Sequence, residues 1–390
     1  MDLDFTPDQS DLREGIRGVL ERECPPALVR ALAETGDRGA VERLWEQMVA
    51  LDWPALTVPE EHGGIGLGAV ELAILAEEAG RVVAPGPLLA TASQFVPAVR
   101  EVGGEASGRW LAAVATWETS GTLALAEGGR FTLDAVTATV DRTGDHVVVD
   151  GVKEYVAEAG AVDEIAVAAR IPGTEGDDGL VVVVVPAAAC GVEPIHTLDP
   201  TRQYARVVLD SVVVGADRLL GADGSAARGL ARAIEEATMA AAMETVGACQ
   251  AILDMTVAYA RERVQFGRPI GSFQAVKHKA ADMLVALERA RATGLFAAAC
   301  IAEDDERRGL AVSVAKAAAG DAQRVVVQEG IQLHGGIGYT WEHNLHLFAK
   351  RAKSGDAVWG TARHHRARLA QSLTAAAEDA GPVARWSDGR

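Results

Sequence analysis

Arg263 and Phe266 stand three residues apart in the stretch Tyr259–Gln274, YARERVQFGRPIGSFQ, and together they suit an anion that carries a flat ring. A guanidinium is a fixed fork of donors that matches a pyrophosphate. A phenylalanine gives a face on which a ring can lie. Other reactive groupings are sparse. His343 and His346 sit at i, i+3, a spacing that could bridge a metal, but no third ligand accompanies them, so no metal is expected. The four cysteines, at 24, 190, 249 and 300, form no CxxC pair. Cys249 and Cys300 lie in Ala-rich helical context and read as buried small hydrophobes. A reduced, cytoplasmic protein is the expectation.

These residues need elements to hold them. Ile252, Val257, Ala260 and Val264 are apolar at helical spacing, and Gly267, Pro269 and Gly271 then break the pattern. It resumes at Phe273, Val276, Ala280, Met283 and Leu284. A cationic turn between two long helices is the result. Upstream, residues 1–118 read as helical, opening at Thr6-Pro7, with further helices near 40–51, 69–80 and 88–99. The glycines of Val58–Gly68, VPEEHGGIGLG, lack the Lys-Ser/Thr and the preceding strand of a phosphate loop, and read as a plain turn. From about Thr122 the chain turns strand-like, with runs near 122–126, 135–140, 146–149, 164–169, 180–185 and 205–209. No helices intervene, which points to an antiparallel sheet or small barrel rather than a dinucleotide-binding βαβ unit. Helical pattern returns from about 227 in four long helices, near 227–264, 273–302, 306–334 and 344–376. The expected division is a helical domain over 1–118, a β-domain over 119–222, a four-helix bundle over 223–378 and a fraying tail over 379–390.

A chain of 390 residues has room for two or three domains. Its net charge of −18 argues against a nucleic-acid surface. The acidic N-terminus is not that of a signal peptide, and no apolar run is long enough to span a membrane.

The stretch RERVQFGRPIGSFQAVKHKAADM resembles the flavin-binding turn of the acyl-CoA dehydrogenase family. VPEEHGGIGLG, QLHGGIGY (Gln332–Tyr339) and WGT (Trp359–Thr361) agree with that family in the right order. The resemblance implies an α+β fold: an N-terminal helical domain, a middle antiparallel β-domain and a C-terminal four-helix bundle. It implies FAD as cofactor and the α,β-dehydrogenation of an acyl-CoA thioester. By motif position, Arg263 meets the FAD pyrophosphate and Phe266 packs on the adenosine. Phe273 and Gln274 adjoin the adenine. Gln332, Gly335 and Gly336 reach the dinucleotide from a neighbouring subunit, and Thr361 and Tyr155 lie at the flavin. An electron-transfer flavoprotein or similar acceptor and a homotetramer, or a heterotetramer with a paralogue, are also implied.

Two departures from the family pattern stand out. Trp359 holds the place of the commonest catalytic Glu, and Trp accepts no proton. In members whose base lies on the first bundle helix, that position falls on Ala237 here. Glu236 is adjacent, and Glu244 lies two turns on, near the same face. Glu244 and Glu236 are therefore the candidate bases; the other reading of each is a buried carboxylate bonded to an Arg or Lys. In the β-domain the family's flavin-contact segment becomes Ala126–Leu133, AEGGRFTL, and its Trp-Ile-Thr becomes Tyr155-Val156-Ala157. Tyr155 can cover a ring; Ala157 donates no side-chain hydrogen bond. A catalyst, a base-free partner subunit, and a flavin enzyme using carrier-protein thioesters or acting as a monooxygenase all follow from such a pattern.

Overall fold

The computed structural model describes residues 4–224 and 226–379, so the expected tail beyond 379 lies outside the described residues. Helix α1 (Pro7–Glu23) begins where the sequence places it. Thr6 Oγ1 accepts the Gln9 amide at 3.2 Å, and Gln9 Oε1 accepts the Thr6 amide at 3.1 Å, a reciprocal cap. The Cys24-Pro25-Pro26 stop is also a start: Pro26 is the first residue of α2 (Pro26–Thr35), which the sequence reading omitted. Proline fits there because a first-turn amide has no helical partner. Next come α3 (Gly39–Ala50), α4 (Ala69–Arg81), the single turn α5 (Leu88–Ala90), a π-turn Thr91–Phe95, α6 (Val96–Gly103) and α7 (Gly108–Ala115).

The sheet contains β1 (Gly121–Ala124), β2 (Thr139–Thr143), β3 (His146–Ala157), β4 (Glu164–Arg170), β5 (Leu180–Pro186), β6 (Gly191–Ile195), β7 (Tyr204–Gly215) and β8 (Leu219–Leu220). Its order is β6-β7-β3-β2-β4-β5-β8, with β1 added against β4. It is mostly antiparallel; β1 and β2 meet β4 in parallel. The expected strand at 135–140 starts only at Thr139, after a short turn at Leu133–Ala135. β6 was not anticipated. The runs in β4 and β5 are apolar throughout because both faces are covered. Ala166, Ala168, Val182 and Val184 face α6, α7 and the first bundle helix, while Ile165, Val167, Val181 and Val183 face the rest of the sheet.

The bundle is formed by α8 (Ala226–Glu262), α9 (Gln274–Ala302) and α10 (Arg308–His334). The hairpin β9 (Val264–Gln265) and β10 (Arg268–Pro269) interrupts α8 and α9. The expected fourth helix is two, α11 (Leu345–Ala357) and α12 (Ala362–Asp379), broken at the turn that carries Trp359. No described helix is long and apolar enough to cross a membrane.

α4 and α8 touch backbone to backbone. A Cβ on Gly247 would lie 1.9 Å from the Glu77 carbonyl, and one on Gly80 would lie 2.1 Å from that of Glu244. Gly247→Ala must therefore push two packed helices apart, at a cost of about 2–3 kcal/mol. A melting temperature equal to that of the parent protein would contradict this.

Candidate active site

Three parts of the chain meet at one small cavity. The N-terminal domain supplies Leu89, Ser93 and Gln94; the β-domain supplies Phe131, Tyr155, Ala157, Arg202 and Tyr204; the bundle supplies Ala237, Ala241 and Glu244, with Val358 and Trp359 from the α11–α12 turn. So Tyr155, Glu244 and the two family base positions, Ala237 and Trp359, come together. The cavity is about 20 Å3. That holds a water but no organic ligand, whose pockets run from about 300 Å3 upward.

Aromatic rings line the space. The Phe131 ring lies 5.2 Å from that of Trp359 and 6.4 Å from that of Tyr155. Trp359 is 7 % exposed. Tyr155 has φ +51° and Trp359 φ +56°, a left-handed conformation that costs a non-glycine residue about 1 kcal/mol or more. Two buried groups hold the Trp359 turn. Lys316 donates to the Gly360 carbonyl at 2.8 Å and the Asp356 carbonyl at 3.1 Å, and His365 Nε2 meets the Trp359 carbonyl at 2.9 Å.

Burial pushes the Lys316 ammonium down to about 8, with Asp356 opposing the shift. The unfolded chain therefore binds more protons than the folded one between about pH 8 and 10.5, and stability rises with pH across that window, on the order of 3 kcal/mol for this group. Lys153, also lowered to about 8 by burial, acts with the same sign. Lys316→Met should remove the Lys316 share of the rise; parallel pH profiles of melting temperature for variant and parent would refute it.

Glu244 is held by two guanidiniums. It is 2 % exposed. Arg202 grips it with both Nη atoms at 2.6 Å, and Arg351 Nη1 donates to its Oε1 at 2.8 Å. Arg351 also binds Asp199 at 2.5 Å, Thr201 Oγ1 at 2.7 Å and the Ala84 carbonyl at 3.2 Å. Burial raises the Asp199 carboxyl, but Arg351 and Thr201 outweigh it and hold it below its usual range. Arg202 and Arg351 escaped the sequence reading because they lie 42 and 107 positions away from Glu244. No local pattern marks such pairs.

Glu236 lies elsewhere. It lines a separate cavity with Thr57, Arg100, Arg232 and Arg308, and Arg100 Nη2 binds it at 2.5 Å. Burial raises its carboxyl, with Arg100 opposing. The one-residue step from Ala237 turns it about 100° around the helix. In the β-domain, Glu127 of the AEGG segment turns inward. It accepts Lys153 Nζ at 2.5 Å and the amides of Thr137 and Ala138 at 2.8 and 3.0 Å.

The dinucleotide candidates form a different, open surface. Phe266 and Gly267, φ +53° and +76°, make the two-residue turn of the β9–β10 hairpin, a geometry that needs positive φ at both positions. Phe266 is 92 % exposed. Arg263 is exposed and has no carboxylate partner among the described residues. Phe273 meets Phe266 edge-on at 6.1 Å, and Gln274 opens α9. Tyr259 stacks on His334 at 4.7 Å, so the hairpin and the exposed Gln332, Gly335 and Gly336 share one end of the bundle. A Cβ on Gly335 or Gly336 would meet nothing, which leaves that backbone open to close approach. Thr361 is exposed beside Trp359. These residues fit the phosphates and adenosine of a dinucleotide; the closed space of about 20 Å3 between Phe131 and Trp359 admits no flavin ring, while Tyr155 and Thr361 stay exposed. Among the described residues no group of His, Cys, Asp or Glu could hold a metal.

A helical domain, a mostly antiparallel sheet and a helical bundle meet at one interdomain junction, an α+β architecture. The sequence matches the family descriptions "Acyl-CoA dehydrogenase, N-terminal domain" over residues 6–118 and "Acyl-CoA dehydrogenase, C-terminal domain" over 228–374. It is 36 % identical over 345 residues to acyl-CoA dehydrogenase IpdE2 of Mycobacterium tuberculosis, covering 87 % of this chain and 89 % of that one. The glutaryl-coenzyme A dehydrogenase glutaryl-CoA complex superposes with a TM-score of 0.88 at 26 % identity, over 96 % of this chain and 97 % of that one. The ChsE4-ChsE5 complex of Mycobacterium tuberculosis does so at 0.85 and 25 % identity, over 98 % of this chain and 100 % of the matched one. The chain belongs to the acyl-CoA dehydrogenase family, an oxidoreductase family whose members are FAD-binding flavoproteins.

Proposed function

We propose that this chain is the base-free subunit of a flavin-dependent acyl-CoA dehydrogenase, and that it lends its bundle end to an FAD whose ring sits in a paralogous partner. One observation carries the reading: Phe131 and Trp359 pack 5.2 Å apart in the junction where thioester and flavin ring would meet, and leave a cavity of only about 20 Å3. Glu244, the carboxylate nearest the task, has both oxygens on guanidiniums. A general base must reach the proton it takes, and these three donors fix Glu244 in place and leave only about one of its four lone-pair sites open.

When bound, the flavin supplies the acceptor for the hydride leaving Cβ of the acyl-CoA. This chain's part is to bind and orient. Arg263 forks onto the pyrophosphate, Phe266 covers the adenosine, and the open backbone at Gly335 and Gly336 admits the phosphates. The base would come from the partner. The ChsE4-ChsE5 neighbour is a complex of two differently named chains, which supports a paired assembly. An electron-transfer flavoprotein as acceptor and a cytoplasmic setting complete the reading.

A second reading makes the chain catalytic with Glu244 as base, and the presence of Glu244 in the cavity wall favours it. Visible spectra of the purified chain, alone and co-expressed with a paralogue, decide between them. Alone, the chain should be colourless; the complex should carry one FAD per two chains and bleach with an acyl-CoA. One FAD per chain in the isolated protein, bleached by a thioester and no longer bleached after Glu244→Gln, would overturn the proposal in favour of the second reading.

A further inference from the structure

Three imidazoles pack together where α10 gives way to α11. The His334 ring lies 4.7 Å from that of Tyr259 on α8 and 4.7 Å from that of His343. His346, in the first turn of α11, meets the Trp341 ring at 4.5 Å. Their surroundings suit neutral rings only. His343 Nδ1 accepts the Leu345 amide, the first of α11, at 3.1 Å, and a protonated Nδ1 cannot accept. His334 Nδ1 donates to the Gly330 carbonyl at 2.7 Å, so a second proton would go to Nε2, which is buried and has no partner among the described residues. Both ring nitrogens of His346 are buried and unpartnered in the same way. A charge there would be buried without a counterpart.

The groups around the cluster reinforce this. Arg30 of α2 donates to the Trp341 carbonyl and, at 2.6 Å, to Asn344 Oδ1. Lys350 of α11 places its Nζ 4.5 Å from the centre of the Trp341 ring. Tyr259 is a neutral phenol, and Glu342 of the connection is exposed. Burial pushes His346 down to about 4, with Lys350 and Arg30 adding to it and Glu34 of α2 acting the other way. Burial also lowers His334 and His343. We propose that the neutral rings of His334, His343 and His346 form an acid-sensitive clasp on the connection between α10 and α11, and that protonation releases it. Once open, the connection binds protons below about pH 6.5 that the closed one does not. The closed form is therefore fully held above that pH and is lost as pH falls toward 4. The connection carries Gly335 and Gly336, so release of a dinucleotide in acid would rest on the proposed cofactor role; the clasp itself does not.

Amide hydrogen exchange of the purified chain at pH 7 and pH 5, followed by mass spectrometry and divided by the intrinsic rate at each pH, reads the opening of residues 335–347. One group lowered from 6.5 to about 4 raises the opening constant about 20-fold between those pH values, and at least that rise is expected while β4 and β5 keep their protection. His343→Asn combined with His346→Phe should cut the rise at least about tenfold. Asn keeps an acceptor for the Leu345 amide and does not titrate; Phe keeps a ring against Trp341 and removes two nitrogens that bond nothing. A rise under about threefold in the parent overturns the proposal, as does an equal rise in β4 and β5, which would be global acid unfolding. So does an undiminished rise in the double variant once its melting temperature at pH 7 shows it folded.

Discussion

Arg263→Ala and Phe266→Ala should each lower the flavin affinity of the assembled enzyme about 10- to 100-fold while leaving the unfolding free energy of this chain within about 0.5 kcal/mol of the parent. The two halves of that statement have different causes. Both side chains are exposed, Phe266 at 92 %, and Arg263 has no ion-pair partner among the described residues, so neither supports the fold. Phe266 sits at the tip of a two-residue turn whose geometry sets its positive φ, and its ring is left open to a ligand apart from an edge contact with Phe273. A bidentate guanidinium–pyrophosphate contact is worth about 1.5–3 kcal/mol, and that sets the factor. Arg263→Lys should recover only part, since an ammonium keeps the charge and loses the fork. Flavin titration of the complex, read by quenching of flavin fluorescence, measures it. Retention of flavin at wild-type affinity in Arg263→Ala would remove this surface from the cofactor site.

Arg351→Met should cost about 3–5 kcal/mol, the largest stability loss expected of any single substitution here. Arg351 is 1 % exposed and lies between Asp199 and Glu244. Removing it strands Asp199 as a buried charge whose Oδ2 has no donor, and leaves Glu244 with Arg202 alone. Much of the loss is the penalty on the stranded partner rather than the worth of the pair. Asp199→Leu combined with Arg351→Met should therefore be more stable than Arg351→Met alone, because an apolar pair of similar volume avoids that penalty. A double-mutant cycle in urea gives the coupling. A loss under 1 kcal/mol in the single variant would mean that the arginine does not lash Asp199 of the β6–β7 connection to α11 and α8. The same cluster explains why Glu244 is poorly suited to proton abstraction: leaving its partners would expose two buried guanidiniums.

Much of the architecture was legible in residue order alone. Apolar spacing, the Thr6-Pro7 start and the Gly267-Pro269-Gly271 break are local properties, set by backbone sterics and hydrogen bonding within a few residues, and the α–β–α division followed from them. So did the turn at Phe266-Gly267, since a two-residue hairpin is set by its own few residues. The reading was weakest where one residue type serves two ends. The double proline closed α1 and also opened α2, and a continuous helical pattern hid the break at Trp359, because that turn is held by Lys316 and His365 from elsewhere in the chain.

The roles of the two glutamates could not be read locally. Both sit on one helix in similar Ala-rich surroundings, and the sequence by itself fixed only that they would be buried and costly. Tertiary structure alone decided that Glu236 faces Arg100 while Glu244 faces Arg202 and Arg351. It also decided that aromatic rings from two domains meet at the junction, and that α2 leaves a cavity beside Tyr204. The physical reason is the same each time: burial and charge pairing depend on residues distant in sequence, and a chain read in order carries no record of which of them meet.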